Sequence, residues 1–206
     1  VIGTYSRSLY PVVFEIDPIH AEIPRGRERN RFLGTAARQA VLKSARMSGL
    51  TFAEFPKTQT GAPKPVKGYH WSLSHKPGMV AGLIDRYPVG IDVEIIRPIS
   101  RKMFDKIASP NEWNHISGDP LKAFFRCWTA KEAVLKAFGV GLSGLSDCHL
   151  DSDSGEEEMS LRYHGRICRV VHRMFGNAVA AVFAEAGADI EWIRITGWRP
   201  CNNDTG

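Results

Sequence analysis

The stretch Pro88-Val-Gly-Ile-Asp-Val-Glu-Ile-Ile96 sets two acids, Asp92 and Glu94, inside an otherwise apolar run. A carboxylate withdrawn from water costs several kcal/mol (roughly, for either acid) unless something positive meets it, so the placement needs a cause. Alternation is that of a β-strand: Val89, Ile91, Val93 and Ile95 share one face, and Gly90, Asp92 and Glu94 share the other. By the rise of a strand the two carboxylates point to the same side about 7 Å apart. Like charges so placed repel unless a cation lies between them or a proton neutralises one. Oxygen ligands on a strand suit Mg²⁺, which binds a few carboxylates together with substrate phosphate oxygens. A wet strand face carrying two solvated acids would show the same pattern.

Working outward, Tyr69–Ser74, Met79–Ile84 and Val89–Ile95 are three strand candidates, and "LTFAEF" at 50–55 alternates like a fourth. Ahead of them an extended stretch over residues 1–16 leads into a helix near Arg27–Ser48, whose apolar stripe runs Leu33, Ala36, Ala37, Ala40, Val41, Ser44, Met47. Beyond Arg97-Pro98 come helical patterns at Arg101–Ile116 and Leu121–Phe138, then strand-like runs ending in "NAVAAVFAEA" and "IEWIRIT". Each half thus reads helix first, strands after, with "VAGLI" at 80–84 and "VAAVF" at 179–183 in matching places. The expectation is an α+β fold of two halves, residues 1–98 and 99–206, each a helix with an antiparallel sheet. The acidic "DSDSGEEE" is a solvated loop, and "RPCNNDTG" is expected to fray.

The helix containing "FFRCWTAKEAVLKAFGVGL" (Phe124–Leu142) puts Trp128, Glu132 and Lys136 on one stripe, with Lys131 projecting elsewhere. Taken alone, Glu132–Lys136 is an ordinary surface pair worth a few tenths of a kcal/mol (about). In "HWSLSHKPG", Ser74 and His75 look like a nucleophile and its base, but strand neighbours point to opposite faces, which argues against a hydrolase dyad. Arg27, Arg31 and Arg38 fall near one stripe of the first helix, with Arg25 and Arg29 close by, as a phosphate grip or simply its wet face.

With 27 Lys+Arg against 22 Asp+Glu the chain carries +5 and favours anionic partners. No run is long enough to span a membrane. Cys127, Cys148, Cys168 and Cys201 are too scattered for a CxxC pair, and reduced thiols with no secretory signal point to the cytoplasm.

"WSLSH", "VGIDVEIIRP", Glu112 in "ASPNEW" and "WTAKEAVLKAFGVGL" stand in the order found in 4′-phosphopantetheinyl transferases of the Sfp type, which the chain resembles from about Arg31 to Leu145. The resemblance implies two pseudo-symmetric halves clasping coenzyme A in a monomer. It implies transfer of the 4′-phosphopantetheine arm to a serine of an acyl, peptidyl or aryl carrier protein, with release of 3′,5′-ADP. It implies Mg²⁺, or Mn²⁺, on Asp92, Glu94 and Glu132, with Glu132, Lys136 and Asp92 carrying the chemistry. Ser74, His75, Lys131, Lys136 and one of Arg25, Arg29 and Arg31 would then grip coenzyme A. The family's GKP loop reads Gly61-Ala62-Pro63 here, so Lys64 or Lys67 is expected to replace the missing lysine, and Lys76 stands where a serine is usual. The rival reading is a Mg²⁺-dependent nuclease or other phosphodiester-cleaving enzyme, since acids, a lysine and positive charge serve that chemistry equally. The transferase reading expects no nucleic-acid and no membrane partner, whereas the nuclease reading would put the protein on DNA or RNA.

Overall fold

A computed structural model describes residues 7–21, 23, 25–59, 61–184 and 188–200. Residues 1–6 of the expected opening strand, Cys201 and the tail beyond it lie outside these. The elements run β1 (Arg7–Leu9), β2 (Val12–Ile16), α1 (Pro18–Ala21), α2 (Arg27–Met47), β3 (His70–Lys76), β4 (Met79–Asp85), β5 (Gly90–Ile95), α3 (Arg101–Ile107), α4 (Pro110–Trp113) and α5 (Pro120–Phe138). A 3₁₀ segment (Gly141–Asp147) follows, then β6 (Cys148–Asp153), β7 (Glu158–Tyr163), β8 (Arg166–Phe175), β9 (Ala178–Phe183), β10 (Ala188–Ile190) and β11 (Ile193–Trp198).

Two larger sheets carry the fold, one ordered β11-β2-β4-β3 and the other β5-β9-β8-β7-β6, with a small β1-β10 pair beside them. The five-stranded sheet is antiparallel throughout, whereas β11 joins β2, and β10 joins β1, in parallel. The strings read as counterparts in sequence, 80–84 and 179–183, lie in β4 and β9, each flanked on both sides within its sheet. The division at 98/99 does not follow sheet membership: β5 precedes it yet pairs with β9, and β11 follows it yet pairs with β2.

Strict alternation sorts the core into layers. On β4, Met79, Ala81 and Leu83 turn inward to meet Val89, just ahead of β5, Ile91 and Val93 of β5 and Ala178, Ala180 and Val182 of β9. Val80 packs with Ala36, Ala37 and Ala40 of α2 on the outer face. Val179, Ala181 and Phe183 turn the other way, towards Phe124, Ala130, Ala133 and Val134 of α5. Phe124 and Phe125 are both buried, and each contributes about 2–3 kcal/mol by leaving water.

Two expectations fail locally. Residues 50–55 form no strand; Phe52 and Phe55 instead stack edge-on, and Phe55 meets Trp71 in the same way. The single helix expected over 101–116 is two, because Ala108 and Ser109 are extended and Pro110 starts afresh. A residue before proline avoids the helical region, and Ser109 then serves as N-cap in a reciprocal capping box with Glu112.

Candidate active site

β3 and β5 are both edge strands of their sheets, and they meet edge to edge through side chains rather than a ladder. The Ile91 N–H donates to Ser72 Oγ (3.1 Å), and Ser74 Oγ donates to Asp92 Oδ1 (2.7 Å). Helix α5 crosses the face of β5 that bears Gly90, Asp92 and Glu94. Its start is fixed by Asp119, whose side chain accepts from the Lys122 N–H, and its end by Gly139 in the left-handed conformation. The apolar residues at its back hold it on the sheet, which aims Trp128, Glu132 and Lys136 at the two acids.

The resulting contacts are short and specific. Lys136 Nζ lies 2.7 Å from Asp92 Oδ1 and 3.1 Å from the Ile91 carbonyl oxygen. Trp128 Nε1 donates to Glu94 Oε1 at 2.8 Å, and Lys76 Nζ reaches the same oxygen at 2.6 Å. Both carboxylates are buried, Asp92 at 3% and Glu94 at 7% exposure, so these partners are what makes their charge tolerable. Glu132 stands half-buried between the two contacts. Burial pushes its carboxyl above the usual range, and the negative charge of Asp92 pushes it further. His75 goes the other way: burial, then the charges of Lys136, Lys76 and Lys57, depress it.

Two adjoining cavities open here. One of about 310 Å³ is lined by Ser74, His75, Lys76, Asp92, Glu94, Trp128, Glu132 and Lys136. The other, about 700 Å³, shares Leu73, Glu132 and Lys136 with it and extends past Lys57, the Gly61-Ala62-Pro63 loop and Trp71 to Gly139–Ser143. Together they form a polar end and a longer, more apolar arm, a shape suited to a phosphate-bearing ligand with an extended chain.

Asp92, Glu94, Ser74, His75, Glu132 and Lys136 therefore converge as the sequence suggests. Lys131 does not. It is buried at 2% exposure and turned away, with Nζ 2.7 Å from the Ile107 carbonyl oxygen and 3.0 Å from Glu112 Oε1. Glu112 is its counter-ion. Burial works to raise that carboxyl, but the Ser109 and Leu150 N–H groups and Lys131 prevail and hold it at about 2. The pair ties α4 and β6 to α5. Lys64 also stays out of both cavities: its carbonyl accepts from Trp71 Nε1 and its side chain is exposed. Lys57, paired across the loop with Pro63, takes the position at the cavity wall that Lys64 was expected to fill. Arg25, Arg29 and Arg31 line neither cavity.

Among the described residues no three His, Cys, Asp or Glu side chains are gathered to hold a metal ion as they stand. Asp92 and Glu94 are each engaged by a lysine instead. The donor set still fits a divalent cation, on two observations. Asp92 Oδ2 is buried and accepts no hydrogen bond, and Glu132 is under carboxylate repulsion that a cation would relieve.

Residues 88–182 match the family profile described as the 4′-phosphopantetheinyl transferase superfamily. The chain is 34% identical over 113 residues to the 4′-phosphopantetheinyl transferase psf-1 of Bacillus pumilus, covering 52% of this chain and 48% of that one. It is 33% identical over 92 residues to the 4′-phosphopantetheinyl transferase gsp of Aneurinibacillus migulanus, covering 43% and 39%. With the 4′-phosphopantetheinyl transferase Sfp of Bacillus subtilis strain 168 it shares 31% over 78 residues, covering 36% and 35%. These matches span less than half the length of each relative. Residues 88–182, which hold β5, α5 and the acids between them, are thus similar to the 4′-phosphopantetheinyl transferase superfamily, with relatives of the Sfp type among the matches.

Proposed function

We propose that the protein moves the 4′-phosphopantetheine arm of coenzyme A onto a serine of an apo carrier protein of the acyl, peptidyl or aryl type, releasing 3′,5′-ADP. The observation that carries this reading is the meeting of Asp92 and Glu94 with Glu132 and Lys136 across a polar cavity that opens into a longer arm. The names of the relatives agree with it. The nuclease reading finds no support in the fold or in these relatives.

The reaction forms one P–O bond, from the serine oxygen to the phosphorus attached to pantetheine, and breaks the anhydride bond to the second phosphate. Glu132 is the group for the serine proton: its raised carboxyl is a stronger base than an ordinary glutamate and borders both cavities. Lys136, fixed on Asp92 and on the Ile91 carbonyl, presents an ammonium to the phosphate on which charge accumulates. Ser74 holds Asp92 in place from β3. Lys57 and His75 stand at the cavity walls for the nucleotide's anionic groups. A Mg²⁺ or Mn²⁺ held by Asp92, Glu94 and Glu132 supplies, when bound, positive charge against the pyrophosphate.

The protein acts in this proposal as a cytoplasmic monomer. Cys127, Cys148 and Cys168 are free thiols, and among the described residues no helix is long and apolar enough to cross a membrane. The test is the mass of an apo carrier protein after incubation with coenzyme A, Mg²⁺ and this protein. A gain of one phosphopantetheine per carrier, absent with Glu132→Gln, is the expected result; an unchanged carrier mass across acyl, peptidyl and aryl types rejects the function.

A further inference from the structure

Lys76 and Lys136 neutralise the two strand acids in different ways. Lys136 is held twice, by Asp92 Oδ1 and by the Ile91 carbonyl oxygen, and it leaves Asp92 Oδ2 bare. Asp92 can therefore take up a cation without giving up its lysine. Lys76 is the less committed of the two. It follows His75 at the end of β3, its side chain is 35% exposed, and its described ion pair is with Glu94 Oε1, the oxygen that also accepts from Trp128. A divalent ion drawn to Glu94 would arrive within roughly a few ångströms of this ammonium, and the repulsion is relieved most easily by letting go the lysine with the single described partner and the greater exposure, 35% for Lys76 against 26% for Lys136.

We propose that Lys76 is a tethered counter-ion that competes with the divalent cation for Glu94. In the metal-free protein it neutralises the buried carboxylate; on metal binding it must be released, and its freed ammonium borders the cavity beside His75, where an anionic substrate would meet it. Metal affinity in this chain is thereby set by residue 76 as well as by the three acids. The inference rests on the metal reading given above.

The experiment is a calorimetric titration of the full chain with MgCl₂ at low ionic strength, without coenzyme A, in wild type, Lys76→Met, Lys76→Ser and Lys76→Arg. Melting temperatures are taken for each protein with EDTA and with saturating Mg²⁺. The Met and Ser variants are expected to bind Mg²⁺ at least about tenfold more tightly than wild type, by loss of one competing charge, and the Arg variant about as weakly as wild type. Metal-free Lys76→Met is expected to melt below wild type and to gain more on adding Mg²⁺, because Glu94 loses its counter-ion and then regains one. Equal or weaker Mg²⁺ binding by the Met and Ser variants overturns the role of Lys76 and leaves the metal reading standing. No Mg²⁺ binding in any of the four proteins overturns both.

Discussion

Gly90 lies so close beneath Ala133 that a β-carbon at residue 90 would sit 1.7 Å from the Ala133 carbonyl oxygen. This contact sets the height of α5 above β5, and with it the reach of Lys136 to Asp92 and of Trp128 to Glu94. Gly90→Ala cannot be absorbed by a flexible side chain, since the atoms in the way are helix backbone. The expected outcome is a loss of about 3 kcal/mol or more in stability, read by urea unfolding, with any folded fraction impaired in transfer.

Glu132 and Lys136 lie four apart on one helix but are expected to fail differently. Glu132→Gln keeps shape and loses charge and basicity, so both Mg²⁺ binding and single-turnover transfer fall. Lys136→Ala leaves Asp92 Oδ2 available, so Mg²⁺ binding survives while kcat and kcat/KM fall together, on the order of a hundredfold. Wild-type single-turnover rates in both variants would reduce the two residues to scaffolding.

Lys131→Met tests the reassignment of that lysine. Glu112 would keep its backbone donors but lose its counter-ion inside the protein. A stability loss of about 3–5 kcal/mol is expected for breaking such a pair. Coenzyme A affinity of the folded variant, measured well below its melting temperature, is expected to stay at the wild-type level. A selective loss of coenzyme A affinity would return Lys131 to the site.

His172 gives the fold an acid limit. It is fully buried, with Nε2 3.0 Å from the Arg126 carbonyl oxygen, and burial, then the Arg126 charge, lowers it from 6.5 to about 4. Below 6.5 an unfolded chain protonates this histidine while the folded chain does not until about 4, so the unfolded state holds the extra proton. Stability is therefore lost as pH falls through that window, by up to about 1.4 kcal/mol per pH unit for this one group. His172→Gln, which keeps a donor for the Arg126 carbonyl, is expected to flatten the slope of unfolding free energy between pH 6.5 and 4. An unchanged slope would mean that the imidazole already titrates normally in the folded protein.

Much of this site is legible in the sequence, because its information is local. Alternation in β5 put Asp92 and Glu94 on one face, and helical spacing put Trp128, Glu132 and Lys136 on one stripe. What local spacing does not carry is which neighbour lies behind each side chain. Lys131 sits one residue from Glu132 and so about 100° around the helix, where only the packing of α3, α4 and β6 decides that it meets Glu112. Lys57 reached the cavity through a loop whose course no periodicity records. The apolar residues of 50–55 belong to a loop, in which Phe52 meets Phe55 and Phe55 meets Trp71. The Ser109-Pro110 break, by contrast, was written in the sequence and lost to the apolar pattern around it.

The parallel seating of β11 against β2 has a bearing on how this chain is made. Residues 12–16 leave the ribosome long before residues 193–198, the neighbour that completes their sheet on that side. The segment 90–95 likewise waits for 178–183 before its backbone is paired. Neither sheet can be completed before those later segments have been made, so the nascent polypeptide carries unpaired edges in the interval. Such distant pairings make folding slow and leave those edges open to other chains meanwhile. Truncated products ending before residue 193 are for that reason expected to depend on chaperones or to accumulate as inclusion bodies.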